Sequence, residues 1–162
     1  TLKVLLRHLI KQENKMEFLS GNFLCETIVP KEELIVSRTD LKGNITYVNE
    51  TFAFISGYTA DELIGKPHNI VRHPDMPKSI FKELWKDLDI KGSWNGVVKN
   101  KRKDEGFYWV YAEVSGVYKD GTLVEYKSIR TPISFDDKVK YQLLYDQIKK
   151  DTNETTRRVI YS

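Results

Sequence analysis

The segment Lys66-Pro67-His68-Asn69-Ile70-Val71-Arg72-His73-Pro74-Asp75-Met76-Pro77 holds the densest set of charged and titratable side chains with a stiff backbone between them. Three prolines in eleven positions forbid a long regular helix. Lys66, Arg72 and His73 are therefore confined to one short stretch, a composition suited to gripping an anion, and Asp75 could orient one of them through a charge-assisted hydrogen bond. The plain alternative is a surface connector carrying an Arg-Asp pair. His68 and His73 stand five residues apart without a third ligand in view, unlike the i, i+4 spacing of a helical metal site, so no metal is expected. No Gly-x-Ser-x-Gly, phosphate-binding Walker loop or G-x-G-x-x-G occurs, which leaves hydrolase, kinase and Rossmann readings without a motif.

The elements that would position these groups follow from hydrophobic period. Leu34 to Asp40 and Ile45 to Val48, separated by Lys42-Gly43-Asn44, read as a hairpin. Asn49 is placed to cap a short helix with Phe52, Phe54 and Ile55, and Gly57 to stop it. Thr59-Ala60-Asp61-Glu62 has the form of a capping box. Ile80, Phe81, Leu84, Trp85 and Leu88 recur at three and four, a longer helix ended by Lys91-Gly92. Trp94 to Lys101, Phe107 to Tyr118 and Thr122 to Pro132 are strands parted by Gly-containing turns. Two strands, several helices and three strands give an α+β domain whose antiparallel sheet is covered on one face by helices. By strand alternation Trp94, Gly96, Val98, Asn100 and Arg102 share one face, and Tyr108, Val110, Ala112 and Val114 share a face of the next strand.

Both ends differ from this middle. Leu2, Leu6, Leu9 and Met16 recur among charged residues, the pattern of an amphipathic helix suited to helix-helix packing. Ser134-x-x-Asp137 starts a last helix with Tyr141, Leu144 and Ile148 on one face, followed by a polar tail from Asp151. The expected division is 1–30, helix and connector; 31–133, main domain; 134–162, helix and tail. With 162 residues the chain is long enough to enclose a ligand in a core. Its +3 charge is interspersed rather than blocked, which gives no reason to expect nucleic acid as a partner. No apolar run approaches the ~18 residues of a membrane span. The single cysteine, Cys25, excludes an intramolecular disulfide, and cytoplasm is the expected compartment.

The words Asn49-Glu50-Thr51-Phe52, Ser56-Gly57-Tyr58-Thr59 and Glu62-Leu63-Ile64-Gly65 resemble the centre of PAS sensor domains. More specific are the segment from Pro67 to Pro77, then Phe81, Trp85, Trp94, Gly96, Val98 to Lys103, Tyr108-Trp109-Val110 and Ser128 to Thr131. Together they resemble the flavin-binding PAS domain of bacterial aerotaxis and energy-taxis receptors, the Aer type, over about residues 33–132. The resemblance implies a PAS fold of five antiparallel strands around FAD, whose oxidation state is read as a redox or energy signal. It also implies a signalling partner or output domain, such as a membrane-anchored chemotaxis receptor that would bring the chain to the inner membrane without a span of its own. By the matching positions, Asn49, Arg72, His73, Asp75, Phe81, Trp85 and Asn100 are the expected flavin-binding residues, with Trp94 a second choice.

The residue chemistry suits that implication. A flavin needs a flat apolar slot, donors and acceptors for its polar edge, and positive charge for its phosphates. Asn100 offers donor and acceptor on one amide. Trp85 could stack on a ring or fill the core, and Arg72 and His73 would serve the phosphates. The family resemblance departs from light-sensing flavin domains, which place a cysteine beside the ring, since Cys25 precedes the domain. Two other readings stay open: a haem held by His68 or His73, and a cofactor-free interaction module in which Leu2, Leu6, Leu9, Tyr141, Leu144 and Ile148 mediate dimerisation or docking. An enzyme is not expected, because no second substrate site is visible.

Overall fold

The computed structural model describes residues 25–154, so the amphipathic helix expected near the N-terminus and most of the polar tail lie outside the described residues. Five strands form one antiparallel sheet: β1 (Ile35–Thr39), β2 (Ile45–Val48), β3 (Ser93–Lys101), β4 (Phe107–Lys119) and β5 (Thr122–Thr131), in the order β2-β1-β5-β4-β3. Between β2 and β3 run α1 (Glu50–Ser56), α2 (Ala60–Leu63), a 3-10 turn (His68–Val71) and α3 (Lys78–Lys91). A final helix, α4 (Phe135–Asp151), follows β5.

Local chemistry accounts for the boundaries. Asn49 Oδ1 accepts from Phe52 N at 3.0 Å to cap α1, and Thr59 Oγ1 accepts from Glu62 N at 3.2 Å to cap α2. Gly57 and Gly92 close α1 and α3 with φ of 75° each, a left-handed conformation that a side chain would strain. Ser134 Oγ accepts from Asp137 N at 3.2 Å and starts α4. In α1, Phe52 and Ile55 are wholly buried, whereas Phe54, expected beside them, faces solvent. Positions 52, 54 and 55 cannot all face inward on one helical turn, and 52 and 55, at i and i+3, take the core.

The sheet has two coated faces. On the inner face Trp94 pairs with Val114, Gly96 with Ala112, Val98 with Val110 and Asn100 with Tyr108 across β3 and β4, as the alternation implied. α4 covers the outer face, where Tyr145 donates its hydroxyl to the Val97 carbonyl and stacks on Trp109 with ring centroids 6.4 Å apart. Its buried face is not the expected one. Tyr145 and Lys149 are buried, Tyr141 and Ile148 half-buried, and Leu144 exposed. The polar tips of Tyr145 and Lys149 find backbone carbonyls, so their long apolar stems can face inward.

Candidate functional site

Between the inner sheet face and α3 lies a cavity of about 260 Å³. Its floor is laid by register. β3 contributes Trp94, Val98 and Asn100, β4 Ala112 and Val114, β5 Tyr126, Ser128 and Arg130, and β1 Ser37 and Thr39. The opposite wall is Phe81, Leu84, Trp85 and Leu88, one stripe of α3. His68, Asn69 and Arg72 close one end, and Lys42 and Gly43 of the β1-β2 turn another. The volume lies just below the roughly 300–1,000 Å³ of sites that enclose a whole drug-sized ligand. The space suits a flat ring system rather than a dinucleotide.

Two small residues make the slot flat. At Gly96 a Cβ would meet the Trp94 indole at 2.5 Å, so the glycine lets that ring lie along the sheet. Gly43, at φ +88°, brings the hairpin turn against Trp85, whose ring would stand 3.3 Å from an added Cβ. Trp85 remains 42% exposed, at the rim of the cavity rather than in the core.

The polar groups converge at the end bounded by β5 and the 3-10 turn. Arg130 is buried and donates from Nη1 to Ser37 Oγ at 3.0 Å and from Nη2 to His68 Nε2 at 2.8 Å. Among the described residues no carboxylate pairs with it. Burial lowers its guanidinium to about 10, still charged at neutral pH. Burial, assisted by the Arg130 and Arg72 charges, drives the His68 imidazole down to about 3. His68 is therefore neutral, and Nε2 is the unprotonated nitrogen, because it accepts from Arg130. Three further buried polar atoms make no well-formed hydrogen bond: Ser128 Oγ, and Asn100 Nδ2 and Tyr108 Oη, whose side chains lie against each other. Burial also raises the Tyr108 phenol to about 12, so it stays a neutral donor. Unmet donors cost about 1–3 kcal/mol each, and Asn100 and Ser128, which line the cavity beside the Arg130 charge, mark a place suited to a polar partner.

The expected site residues divide into three groups. Arg72, Phe81, Trp85, Trp94 and Asn100 line the cavity, with the Arg72 guanidinium 3.6 Å over the Phe81 ring. Arg72 also pairs with Asn100 as an isolated antiparallel bridge, which joins the proline-rich loop to β3. His73 and Asp75 lie outside it, on a second groove of about 1070 Å³ that shares Asn69 and Arg72 with the cavity. There His73 Nδ1 accepts from Asp75 N at 2.9 Å, and the Asp75 carboxylate receives Lys99 Nζ at 2.7 Å. Asn49 lines neither space; besides capping α1 it accepts from Val36 N at 3.1 Å and donates to Leu34 O at 2.7 Å, which fastens α1 to β1. Arg130 and Ser128 are residues that strand and proline patterns do not single out, and His68 was considered there only as a metal or haem ligand; an arginine at an inward position of a central strand was the available signal. Cys25 is exposed and outside the lining, and no cluster of metal-ligating side chains occurs among the described residues.

A cavity enclosed by a five-stranded antiparallel sheet and short helices defines the fold class of PAS domains. The PAS fold family model matches residues 45–130, and the chain belongs to that family. The aerotaxis receptor of Escherichia coli is 39% identical over 133 residues, covering 82% of this chain and 26% of the receptor. The nitrogen fixation regulatory protein of Klebsiella pneumoniae is 29% identical over 109 residues, 67% of this chain and 22% of that protein. The chain thus spans about a quarter of the length of these relatives. Among solved structures, the PAS domain of a Colwellia psychrerythraea protein superposes with a TM-score of 0.57 at 22% identity, covering 76% of this chain and 97% of that one. A light-oxygen-voltage domain studied with a flavin analogue gives 0.57 at 22% identity, with coverages of 75% and 87%. These structural likenesses carry the fold. The family's members act in sensing and signalling, and no helix among the described residues is long and apolar enough to cross a membrane.

Proposed function

We propose that this chain is a flavin-binding redox or energy sensor of the aerotaxis type, with FAD as its cofactor, the isoalloxazine in the 260 Å³ cavity and the phosphates beyond it. The observation that carries the reading is the polar end of the slot: Asn100 Nδ2 and Ser128 Oγ stand buried without a well-formed hydrogen bond beside the unpaired cation of Arg130. An apolar slot between Trp85, Trp94 and Phe81 with donors and one positive charge at a single end suits a flat ring whose polar edge gains negative charge on reduction. A bound flavin supplies reversible electron uptake. Asn100 can turn its amide from donor to acceptor as that edge gains or loses protons, and Arg130 holds a fixed positive charge against it.

His68, neutral and accepting from Arg130, keeps that guanidinium aimed into the slot. The same contact weakens the haem reading, because the Nε2 atom that would ligate iron is already taken by Arg130 and Ser37. His73 faces the outer groove. Electron transfer is read out as a change of contacts, not turnover: a charged hydrogen bond of about 1.5–3 kcal/mol shifts a two-state balance roughly tenfold to a hundredfold. The reading assigns residues 31–133 to the sensor and the flanks to contact with a signalling partner, such as a membrane-anchored chemotaxis receptor or a second copy of the chain, on the cytoplasmic side. Names of relatives that are an aerotaxis receptor and a nitrogen fixation regulator support it.

The test is the visible spectrum of the purified chain and of chain refolded with FAD, with the extracted chromophore identified. Absorption bands of protein-bound flavin that bleach on reduction are expected. A colourless protein that takes up neither FAD nor riboflavin removes the reading and leaves the interaction module.

A further inference from the structure

The groove outside the cavity is built from two distant parts of the chain. The proline-rich loop and the start of α3 supply Arg72, His73, Lys78 and Lys82, and the far end of α4 supplies Lys149, Thr152, Asn153 and Glu154. Arg72, Lys78, Lys82 and Lys149 bring four positive charges to it, and none of the four forms an ion pair among the described residues. Two carboxylates also lie on it. Asp75 is held by Lys99, and Glu154 accepts from Lys78 N at 3.0 Å and from Thr152 Oγ1 at 2.6 Å. Lys149 is buried, its ammonium donating to the Pro74 carbonyl at 2.6 Å. That bond uses one of three donors, and the Lys149 charge acts on the nearby Glu154 carboxylate without forming an ion pair with it. The groove and the cavity share Asn69 and Arg72 in their linings.

Resting on the flavin reading above, we propose that the last turn of α4, through Lys149, forms one wall of the site for the diphosphate of the dinucleotide, so that FAD ties α4 to the domain and riboflavin does not. A ring in the cavity whose tail leaves past Asn69 and Arg72 would bring that tail to the cationic groove. A diphosphate bridging Arg72 and Lys82 on one wall and Lys149 on the other adds charge-assisted bonds between parts of the chain that Lys149 to Pro74 and Lys78 to Glu154 already join. Ligand choice and the seating of the C-terminal helix become one equilibrium.

The experiment titrates the 162-residue chain with FAD, FMN and riboflavin and follows amide exchange over residues 145–154 in each complex. FAD should bind more tightly than riboflavin by tenfold or more, and only the phosphate-bearing ligands should slow exchange in the last turns of α4. Lys149→Met should lower the FAD advantage about tenfold, the effect of one charge-assisted bond, and leave riboflavin unchanged. Since Lys149 also helps seat the helix, Lys82→Gln on the exposed wall is the second variant, with a smaller loss in the same direction. Equal affinity for FAD and riboflavin, or an FAD advantage and exchange pattern untouched by Lys149→Met, overturns the proposal while the cavity reading stands. Failure of all three ligands to bind removes both.

Discussion

Arg130 Nη2 donates to His68 Nε2 across 2.8 Å, so a permanently charged side chain and a neutral imidazole share a buried bond in which the imidazole can only accept. That sets the sign of a pH effect. His68 sits at about 3 in the folded chain against 6.5 in the unfolded one, so between those values the unfolded state alone takes up the proton. Stability contributed by the neutral ring is complete above about pH 6.5 and is lost as the pH falls towards 3, by up to about 1.4 kcal/mol per pH unit. His68→Gln keeps an acceptor without a titrating group. The difference between the two urea midpoints should shrink or reverse from pH 7 to pH 5, and curves that stay parallel would contradict the assignment.

Asn100 should show opposite effects on the empty and the loaded protein. Its Nδ2 is buried with only the Tyr108 hydroxyl against it, so Asn100→Leu removes a poorly met donor at similar volume and should stabilise the ligand-free chain by up to about 1 kcal/mol. The same change should weaken flavin binding roughly tenfold, because the donor is what the ring edge would use. Thermal melts with and without added FAD measure both at once.

Arg130→Met leaves a stem of similar length without the charge. Electron uptake by a bound flavin should become harder, lowering the midpoint potential by about 60 mV for each tenfold loss in a one-electron step. Potentiometric titration of the loaded protein reads this directly; an unchanged potential means that the guanidinium does not face the ring.

Gly96→Ala tests the shape of the slot. The added methyl group would stand 2.5 Å from the Trp94 indole, so the ring must swing into the cavity or the strand must shift. Overpacking of this kind costs about 1–3 kcal/mol, and ligand affinity should fall by more than stability does, with riboflavin and FAD affected alike.

The α4 docking rests on Lys99, which is buried on the outer sheet face with Nζ 2.7 Å from Asp75 Oδ2 and 2.9 Å from Gln142 Oε1. Lys99→Met takes the ammonium from a buried carboxylate and should cost about 3–5 kcal/mol, whereas Lys99→Met with Asp75→Leu should recover most of it. Urea unfolding of the three proteins decides between a required pair and an interchangeable one.

The strands and most caps were legible because period and turn chemistry are local. Ile45 to Val48, the Gly57 and Gly92 stops and the Ser134 cap stand where the residues put them. The inward face of β3 and β4 was legible for the same reason, and five of the eight expected site residues line the cavity. What was not legible depends on partners distant in sequence. Asn49 joins the domain core as a cap and strand fastener, Asp75 is claimed by Lys99, 24 positions on, and Arg130 meets His68 from 62 positions away. The buried face of α4 escaped a count of apolar residues because Tyr145 and Lys149 occupy it with polar tips satisfied by Val97 and Pro74.

The chain's three tryptophans are divided by the sheet: Trp85 and Trp94 border the cavity, and Trp109 lies on the far side against Tyr145 of α4. The molecule thus carries its own pair of optical gauges. A chromophore lodged in the slot would quench emission from the first two indoles by energy transfer, while the third would brighten or shift when the terminal helix lifts away. Single-tryptophan versions of the protein would let occupancy and helix seating be timed independently, without attaching any dye.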